Sequence, residues 1–279
     1  MIADLHCHST ASDGELSPDA LVRRAMECGV DTLAITDHDT VDACAELHAA
    51  DFPAIRLIPG IEFSTRWHNM GVHVIGLDID LESTTLAAAI RQQKVARRER
   101  AAEISARLAK RGIEDALDGA LSFAGNAQIG RPHFARFLIA RGYVRSPGEA
   151  FRKYLGAGKA GDVKQYWPEM RDVIGWIRSA NGTAILAHPA KYKLTNVRLA
   201  ALADAFQTEG GQAIEVISGQ QSIDVTRRLG KLCTDRGLLA SCGSDFHGPG
   251  QPWSELGRFG SLPDSCRPVW ELWQDRDRG

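Results

Sequence analysis

Seven short apolar segments alternate with helix-like segments along most of this chain, and that alternation restricts the possible folds more than any other feature. The apolar segments occupy residues 2–6, 32–36, 55–59, 72–77, 183–187, 213–217 and 238–242. Regular strand–helix alternation predicts a parallel sheet with helices on its outside. Seven such strands are enough to close into an α/β barrel, in which active residues collect at the carboxyl ends of the strands.

The predicted helices have recognisable ends. Ser17 and Pro18 have the properties of an N-cap and a first helical residue, and Gly29 is suited to close the same helix. Further helical patterns between the strands occupy residues 41–50, 169–180, 195–208 and 222–236. The charged residues 274–279 are expected to fray.

The alternation stops between about residues 83 and 168. Helical patterns continue there over 83–111, 130–141 and 147–155, whereas 114–128 fits either a further helix or an irregular turn region. Three glycines in 156–161 indicate a flexible link. We therefore predict a core formed by residues 1–98 and 166–279, with residues 99–165 inserted as a helical cap on the substrate side.

Composition excludes some classes of partner. The chain has 279 residues, 44% of them hydrophobic, which is enough for a large core. Its 33 Lys and Arg against 35 Asp and Glu give a net charge of −2, so bulk charge provides no basis for binding duplex nucleic acid or an anionic membrane. We expect neither a membrane span nor a signal peptide. The six cysteines form no C-x-x-C pair and are expected to be reduced thiols in a cytoplasmic protein.

Two histidines mark the end of the first predicted strand. Residues two apart on a strand share a face, so His6 and His8 point the same way while Cys7 faces the opposite side as a small buried filler. Imidazole is a common ligand of divalent metals. Similar polar motifs follow the other apolar segments, namely Ser-Asp-Gly at 12–14, Thr-Asp-His-Asp at 36–39, Gly-Ile-Glu-Phe-Ser at 60–64, Gly-Val-His-Val-Ile at 71–75, Ala-His-Pro at 187–189 and Ser-Asp-Phe-His at 244–247. Each motif delivers a carboxylate or an imidazole at or just beyond a predicted strand end.

The candidate metal ligands are His6, His8, Asp13, His38, Glu62, His73, His188, Asp245 and His247. Nine groups exceed the need of one ion and indicate two or three, for which Mn²⁺ is favoured over Zn²⁺ or Fe²⁺. Simpler roles stay open for single members: His73 fits a core histidine, and Asp13 fits a turn cap before Gly14. Asp37 is expected to orient a neighbouring imidazole rather than to bind metal. An unpaired Glu62 in its apolar strand would be costly, and metal binding removes that cost.

These motifs together resemble those of the PHP (polymerase and histidinol phosphatase) family, on both sides of the helical region. The resemblance implies a distorted (β/α)7 barrel with a helical insertion and a trinuclear metal centre. It implies His6, His8, Glu62 and Asp245 as ligands of the first ion, Glu62, His73 and His188 as ligands of the second, and Asp13, His38 and His247 as ligands of the third. Glu62, Asp245 and His188 are the candidate catalytic residues.

Residues 130–139 and 187–192 resemble the branch of this family that hydrolyses 3′,5′-nucleotide bisphosphates. The resemblance implies a phosphatase that converts adenosine 3′,5′-bisphosphate to AMP and phosphate, with attack by a metal-bridging hydroxide as the hypothesis for the mechanism. The alternatives are a 5′→3′ exoribonuclease on short RNA and a histidinol-phosphate phosphatase. A non-catalytic, metal-stabilised module is disfavoured by the complete set of nine ligands.

A substrate with a second phosphate needs cationic contacts beyond the metals. Arg131 and His133 lie at a predicted helix start, which suits anions, and Lys191 follows His188 by three residues. Asp13 and His38 are further candidates for contact with the substrate. For Arg97, Arg98 and Arg100 a solvated helix face is the simpler interpretation, although Arg100 is kept among the substrate-binding candidates. The sequence does not indicate an oligomeric state.

Overall fold

The computed structural model describes residues 1–47 and 51–274, in which one sheet holds seven strands in sequence order. The strands are β1 Ala3–Cys7, β2 Thr32–Ile35, β3 Arg56–Trp67, β4 Met70–Leu77, β5 Thr183–Leu186, β6 Ala213–Ser218 and β7 Leu239–Gly243. The chain after β7 returns to β1, because the amide of His8 donates to the carbonyl of Phe246 (2.9 Å) and the amide of Asp245 donates to that of His6 (2.8 Å). The barrel is nearly closed, and the predicted distorted (β/α)7 barrel is confirmed.

The sheet is not uniformly parallel, which corrects the prediction made from strand–helix alternation. β4 runs antiparallel to both β3 and β5, whereas the other paired neighbours are parallel. Only His68 and Asn69 separate β3 from β4, and His68 has a φ of 51°. A two-residue turn joins antiparallel strands, since a parallel connection needs a crossover of a dozen or more residues. β3 also continues past its predicted end at Pro59, because residues 60–67 pair with β4 after β2 has ended.

Ten α-helices lie within the described ranges, and those between strands match their predicted positions within a few residues. They are α1 Pro18–Glu27, α2 Asp42–Glu46, α3 Thr84–Ala109, α4 Ala116–Ala124, α5 Arg131–Ala140, α6 Pro147–Ala150, α7 Met170–Ser179, α8 Asn196–Thr208, α9 Ile223–Thr234 and α10 Glu271–Gln274. Ser17 caps α1 as predicted, since its side chain accepts from the amide of Ala20, and Gly29 follows that helix with a φ of 78°. The predicted end of the second helix at Ala50 and the charged residues 275–279 lie outside the described residues.

The helical region between β4 and β5 has an apolar cluster of its own, which extends from Ala101 to Val163. It contains α4, so the segment 114–128 includes a helix, and a π-helical turn, Phe151–Leu155, follows α6. α3 continues without interruption past residue 99, so the predicted boundary of the insertion falls inside a helix. The division into core and insertion stays a prediction.

A second apolar cluster draws residues from all seven strands and fills the barrel. Its members include Leu5, Ile58, Ile75, Ile185 and Leu239, together with Trp273 of α10. The barrel therefore has a packed interior and not a pore. No helix among the described residues combines the length and the apolar character that crossing a membrane requires.

Candidate metal centre

All nine candidate ligands converge at one end of the barrel. Their metal-binding atoms form four overlapping groups, each within 4.8 Å: His6, Glu62 and His188; His6, His8 and Asp245; His38, Glu62 and His73; and His8, Asp13, His38 and His247. Glu62 is central, because its Oε1 lies 2.9 Å from His73 Nδ1 and 3.0 Å from His188 Nε2, while Oε2 lies 2.9 Å from His38 Nδ1. One carboxylate thus faces several imidazoles.

The positions of Glu62 and His73 differ from the expectation that every ligand lies at a strand end. Both lie in the middle of their strands, β3 and β4. Glu62 follows the four β3 residues that pair with β2, so it emerges where the parallel part of the sheet stops. Because β4 runs antiparallel to β5, the first half of β4 lies beside the carboxyl end of β5, and the amide of Ala187 donates to the carbonyl of His73 (3.1 Å).

The chemistry of the donor set fits divalent metals. Glu62 is 1% exposed, and its Oε2, His8 Nδ1 and His38 Nδ1 are buried atoms that make no hydrogen bond of acceptable geometry. Unsatisfied buried donors and acceptors are costly, and a bound cation is one way to satisfy acceptor atoms. Imidazole nitrogen and carboxylate oxygen are the ligands that Mn²⁺, Zn²⁺ and Fe²⁺ accept, so these clusters can hold such ions.

Electrostatics keep the acids ionised. Burial alone would raise the pKa of Glu62, but the nearby imidazoles of His73, His38 and His6 hold it well below the usual value. Burial likewise lowers the pKa of His8 to about 3 and that of His73 to about 4, so both rings are neutral and keep a lone pair. Burial alone would also lower the pKa of His38 and His6, but nearby carboxylates raise it, to about 9 for His38 and well above the usual value for His6. These two rings must therefore release a proton when a metal binds.

A pocket rich in arginine adjoins the cluster and is shared between the barrel and the helical region. It is lined by Asp13, His38, Ser64, His73, Arg97, Arg100, Gly130, Arg131, Pro132, Phe151 and Trp167. Arg97 and Arg100 of α3 are 5% and 7% exposed, which corrects the interpretation of both as solvated. Their guanidinium groups lie over the ring of Trp167 at 5.5 and 4.9 Å, and that of Arg131 lies over the ring of Phe151 at 5.6 Å. Arg98 is exposed, as predicted.

The other two cationic candidates have different surroundings. The ammonium of Lys191, on an exposed side chain, donates to Asp245 Oδ2 and so lies beside the ligand cluster. His133 is buried in the first turn of α5, where its Nδ1 accepts from the amide of Gly130 (2.9 Å). Only the Nε2 edge of His133 is left for another partner.

Comparison with known proteins agrees with this geometry. The PHP domain model matches residues 4–140. The chain is 44% identical to the 5′-3′ exoribonuclease Rnm of Escherichia coli, across 98% of this chain and 94% of that protein. It is 41% identical to a 3′,5′-nucleoside bisphosphate phosphatase of Chromobacterium violaceum, across 96% and 94%.

The chain belongs to the PHP family. A solved structure from C. violaceum, described as an amidohydrolase with bound sulfate and no metal, has a TM-score of 0.91 to this PHP chain. It is 39% identical and covers 99% of this chain and 97% of its own length. The PHP chain is thus a metal-dependent phosphoesterase, a hydrolase that acts on phosphate esters.

The PHP site also contains buried polar residues that the sequence analysis missed. Glu215 of β6 is fully buried and contacts His6, and Asp39 accepts hydrogen bonds from Arg97 Nε (2.6 Å) and the amide of Ser64 (2.8 Å). The hydroxyl of Tyr192 accepts from the amide of His73 (2.8 Å). For Glu215 a signal was available, namely a single acid in an otherwise apolar strand.

The predicted role of Asp37 in orienting an imidazole is wrong. Its carboxylate instead accepts hydrogen bonds from the amide and hydroxyl of Ser9 (2.8 and 2.5 Å) and from the hydroxyl of Ser12 (2.5 Å). These bonds fix the loop that leads from His8 to Asp13. Cys7, between the two histidines, is fully buried as predicted.

Proposed function

We propose that this chain is a phosphatase that removes the 3′-phosphate from 3′,5′-nucleotide bisphosphates, converting adenosine 3′,5′-bisphosphate to AMP and phosphate. The observation that carries this proposal is the arginine pocket, which shares Asp13, His38 and His73 with the ligand cluster. A substrate that bears two phosphates would bind one at the cluster and the other at the arginines. Arginine suits this task because its planar guanidinium pairs bidentately with phosphate oxygens.

In this proposal the nine ligands hold two or three divalent ions, with Mn²⁺ favoured. Glu62 would bridge ions because both of its oxygens face imidazoles, and Asp245 would share His6 and His8 as neighbours. Bound divalent ions neutralise phosphate oxygens and make hydroxide available from water near neutral pH. Glu62, Asp245 and His188 are the catalytic residues that we propose, since each would hold an ion at the reacting phosphate.

The residues of the chain itself would orient the substrate. Arg131 and Arg100 would bind the 5′-phosphate, and Asp13 and His38 lie between that pocket and the cluster. Lys191, whose ammonium donates to Asp245 Oδ2 beside the cluster, would contact an oxygen of the reacting phosphate. The buried side chains of Arg97 and Trp167 would keep the pocket in shape, because Arg97 bonds to Asp39, Ile129 and Ser64.

A 5′→3′ exoribonuclease is the second candidate, favoured by the similarity to the E. coli enzyme. An exoribonuclease that releases 5′-mononucleotides breaks the same bond as the phosphatase, namely the bond between phosphorus and the 3′-oxygen of a 5′-phosphorylated nucleotide. The two activities then differ in whether the phosphoryl group transferred to water carries more RNA. Histidinol phosphate has a single phosphate and would leave the arginine pocket without a partner.

The experiment is a substrate panel with metal-loaded protein. Adenosine 3′,5′-bisphosphate is compared with 3′-AMP, which lacks the second phosphate, with a trinucleotide in 5′-phosphorylated and 5′-hydroxyl forms, and with histidinol phosphate. We expect the bisphosphate to have the highest kcat/KM of the panel. The bisphosphate should also have a higher kcat/KM than 3′-AMP, and the 5′-phosphorylated trinucleotide a higher one than its 5′-hydroxyl form. A higher kcat/KM for the 5′-phosphorylated trinucleotide would favour the exoribonuclease, and equal rates for the bisphosphate and 3′-AMP would contradict any role for the arginine pocket.

A further inference from the structure

Glu215 is a buried acid that belongs to no predicted ligand group. It lies in β6 between Ile214 and Val216, and all three residues are fully buried. A carboxylate is not retained in such surroundings without partners, because an uncompensated buried charge is strongly destabilising. Its contacts therefore indicate its role.

Both oxygens of Glu215 are used, and each contacts a different candidate ligand. Oε1 lies 2.8 Å from His6 Nδ1, and Oε2 accepts from the backbone amide of His188 at 2.5 Å. Because an ionised carboxylate can only accept, the ring of His6 carries a proton on Nδ1. Its Nε2 faces the cluster, 3.4 Å from Glu62 Oε1 and 3.5 Å from Asp245 Oδ1.

The bond to His188 supports a strained backbone. His188 has a φ of 29° and a ψ of 53°, a left-handed conformation that residues with a Cβ seldom adopt. Its amide points at Glu215, while its Nε2 lies 3.0 Å from Glu62 Oε1. A buried carboxylate, that of Glu215, thus stabilises the backbone conformation that presents this imidazole to the cluster.

We propose that Glu215 is a positioning residue that assembles the ion site between His6, Glu62 and His188. It fixes the ring of His6 with Nε2 toward the metal, and it holds the backbone of His188 in the conformation that presents the second imidazole. This inference rests on the metal centre of the proposed function, and it does not depend on which phosphate ester is the substrate. Carboxylates behind ligating histidines typically affect metal affinity by about 10- to 100-fold.

Substitution of Glu215 by glutamine should preserve only one of the two contacts. An amide has one acceptor oxygen and one donor nitrogen, so Glu215→Gln can satisfy the amide of His188 or Nδ1–H of His6, but not both. If the oxygen faces His188, the amide nitrogen requires His6 to accept at Nδ1, which puts the ring proton on Nε2, toward the metal. Glu215→Asp keeps two acceptors on a side chain one methylene shorter, so it should weaken both contacts only partly.

The test measures metal binding by the full chain without any substrate. Wild type, Glu215→Gln, Glu215→Asp and the surface control Glu169→Gln are loaded with Mn²⁺, dialysed and analysed for metal per chain, and affinity is measured by chelator competition. Glu169 pairs with Arg66 on a partly exposed surface, so its variant should match wild type. We expect Glu215→Gln to lose about one equivalent, or to bind the weakest ion about 10- to 100-fold less tightly, with Glu215→Asp in between.

A second readout separates positioning from simple stability. In Zn²⁺-loaded protein, nitrogen-15 NMR should show His6 protonated at Nδ1 and coordinated through Nε2, and this signature should change in Glu215→Gln. Glu215→Gln protein with wild-type metal content, affinity and His6 signature would overturn the inference, even if its melting temperature were lower. If wild type binds its metals but hydrolyses no bisphosphate, the proposed function fails while this inference remains testable by the same measurements.

Discussion

The ligand cluster and the arginine pocket lie side by side, yet the cluster was far easier to predict from the sequence than the pocket. Most cluster residues belong to short motifs that follow apolar strands, and the cluster assembles because the barrel brings those strand ends together. The pocket takes its arginines from two helices, α3 and α5, and its aromatic rings from Phe151 and Trp167. A site composed of local strand-end motifs can be recognised from the sequence. For the pocket, the sequence named Arg131 and Arg100 as candidates but did not show that they share a site with Arg97, Phe151 and Trp167.

This comparison predicts that the two regions fail in different ways. Loss of the cluster should abolish the hydrolysis of every phosphate ester, because we propose that the reacting phosphate binds there. Loss of the pocket should matter only for substrates that carry a second phosphate.

Removal of metal should have the largest effect. Dialysis against a chelator should reduce hydrolysis of both adenosine 3′,5′-bisphosphate and 3′-AMP to background, because the nine candidate ligands then hold no cation that could bind the phosphate. Stoichiometric Mn²⁺ should restore both activities. The prediction is contradicted if chelated protein still turns over either substrate when elemental analysis finds no metal in it.

Glu62→Gln should lower kcat by several orders of magnitude on both substrates. The amide loses the charge that faces His73, His38 and His188, and its nitrogen cannot coordinate a metal in place of the carboxylate oxygen. The measurement is kcat with the metal content of each sample determined in parallel. Near-normal turnover at full metal content would exclude Glu62 from the catalytic set.

Arg131→Ala should lower the hydrolysis of the bisphosphate selectively. Loss of a charge-assisted bond to phosphate costs about 1.5–3 kcal/mol, or roughly 10- to 100-fold in kcat/KM. The loss should be far smaller for 3′-AMP or an aryl phosphate. Arg98→Ala is the matched control, because Arg98 is exposed on α3. Equal losses on one-phosphate and two-phosphate substrates would contradict the assignment of Arg131 to the second phosphate.

Metal affinity should rise with pH, whereas the contribution of the arginine pocket to substrate binding should not. Burial alone would lower the pKa of His6, but the carboxylates of Glu215, Glu62 and Asp245 raise it well above the usual value in the metal-free protein. His6 is therefore protonated below that raised pKa, and a proton must leave Nε2 before a metal binds. Each proton released should change the apparent affinity by about tenfold per pH unit. Chelator competition between pH 6 and 9 checks this, and an affinity that falls as pH rises would contradict it.

The order of the elements, the barrel class and the nine candidate ligands that meet in the fold could all be predicted from the sequence. This was possible because apolar strands and the polar residues that follow them are contiguous in the chain. The ends of α1 were also predictable, since Ser17, Pro18 and Gly29 act within a few residues of one another.

The strand directions and the surroundings of the candidate ligands became known only from the three-dimensional fold. It reversed β4, extended β3 beyond β2 so that Glu62 emerges at the centre, and buried Arg97 and Arg100 between the barrel and the helical region. It also brought Glu215 to His6 across 209 residues of sequence. Such contacts depend on how distant segments pack against one another, and that packing cannot be predicted from local residue spacing along the chain.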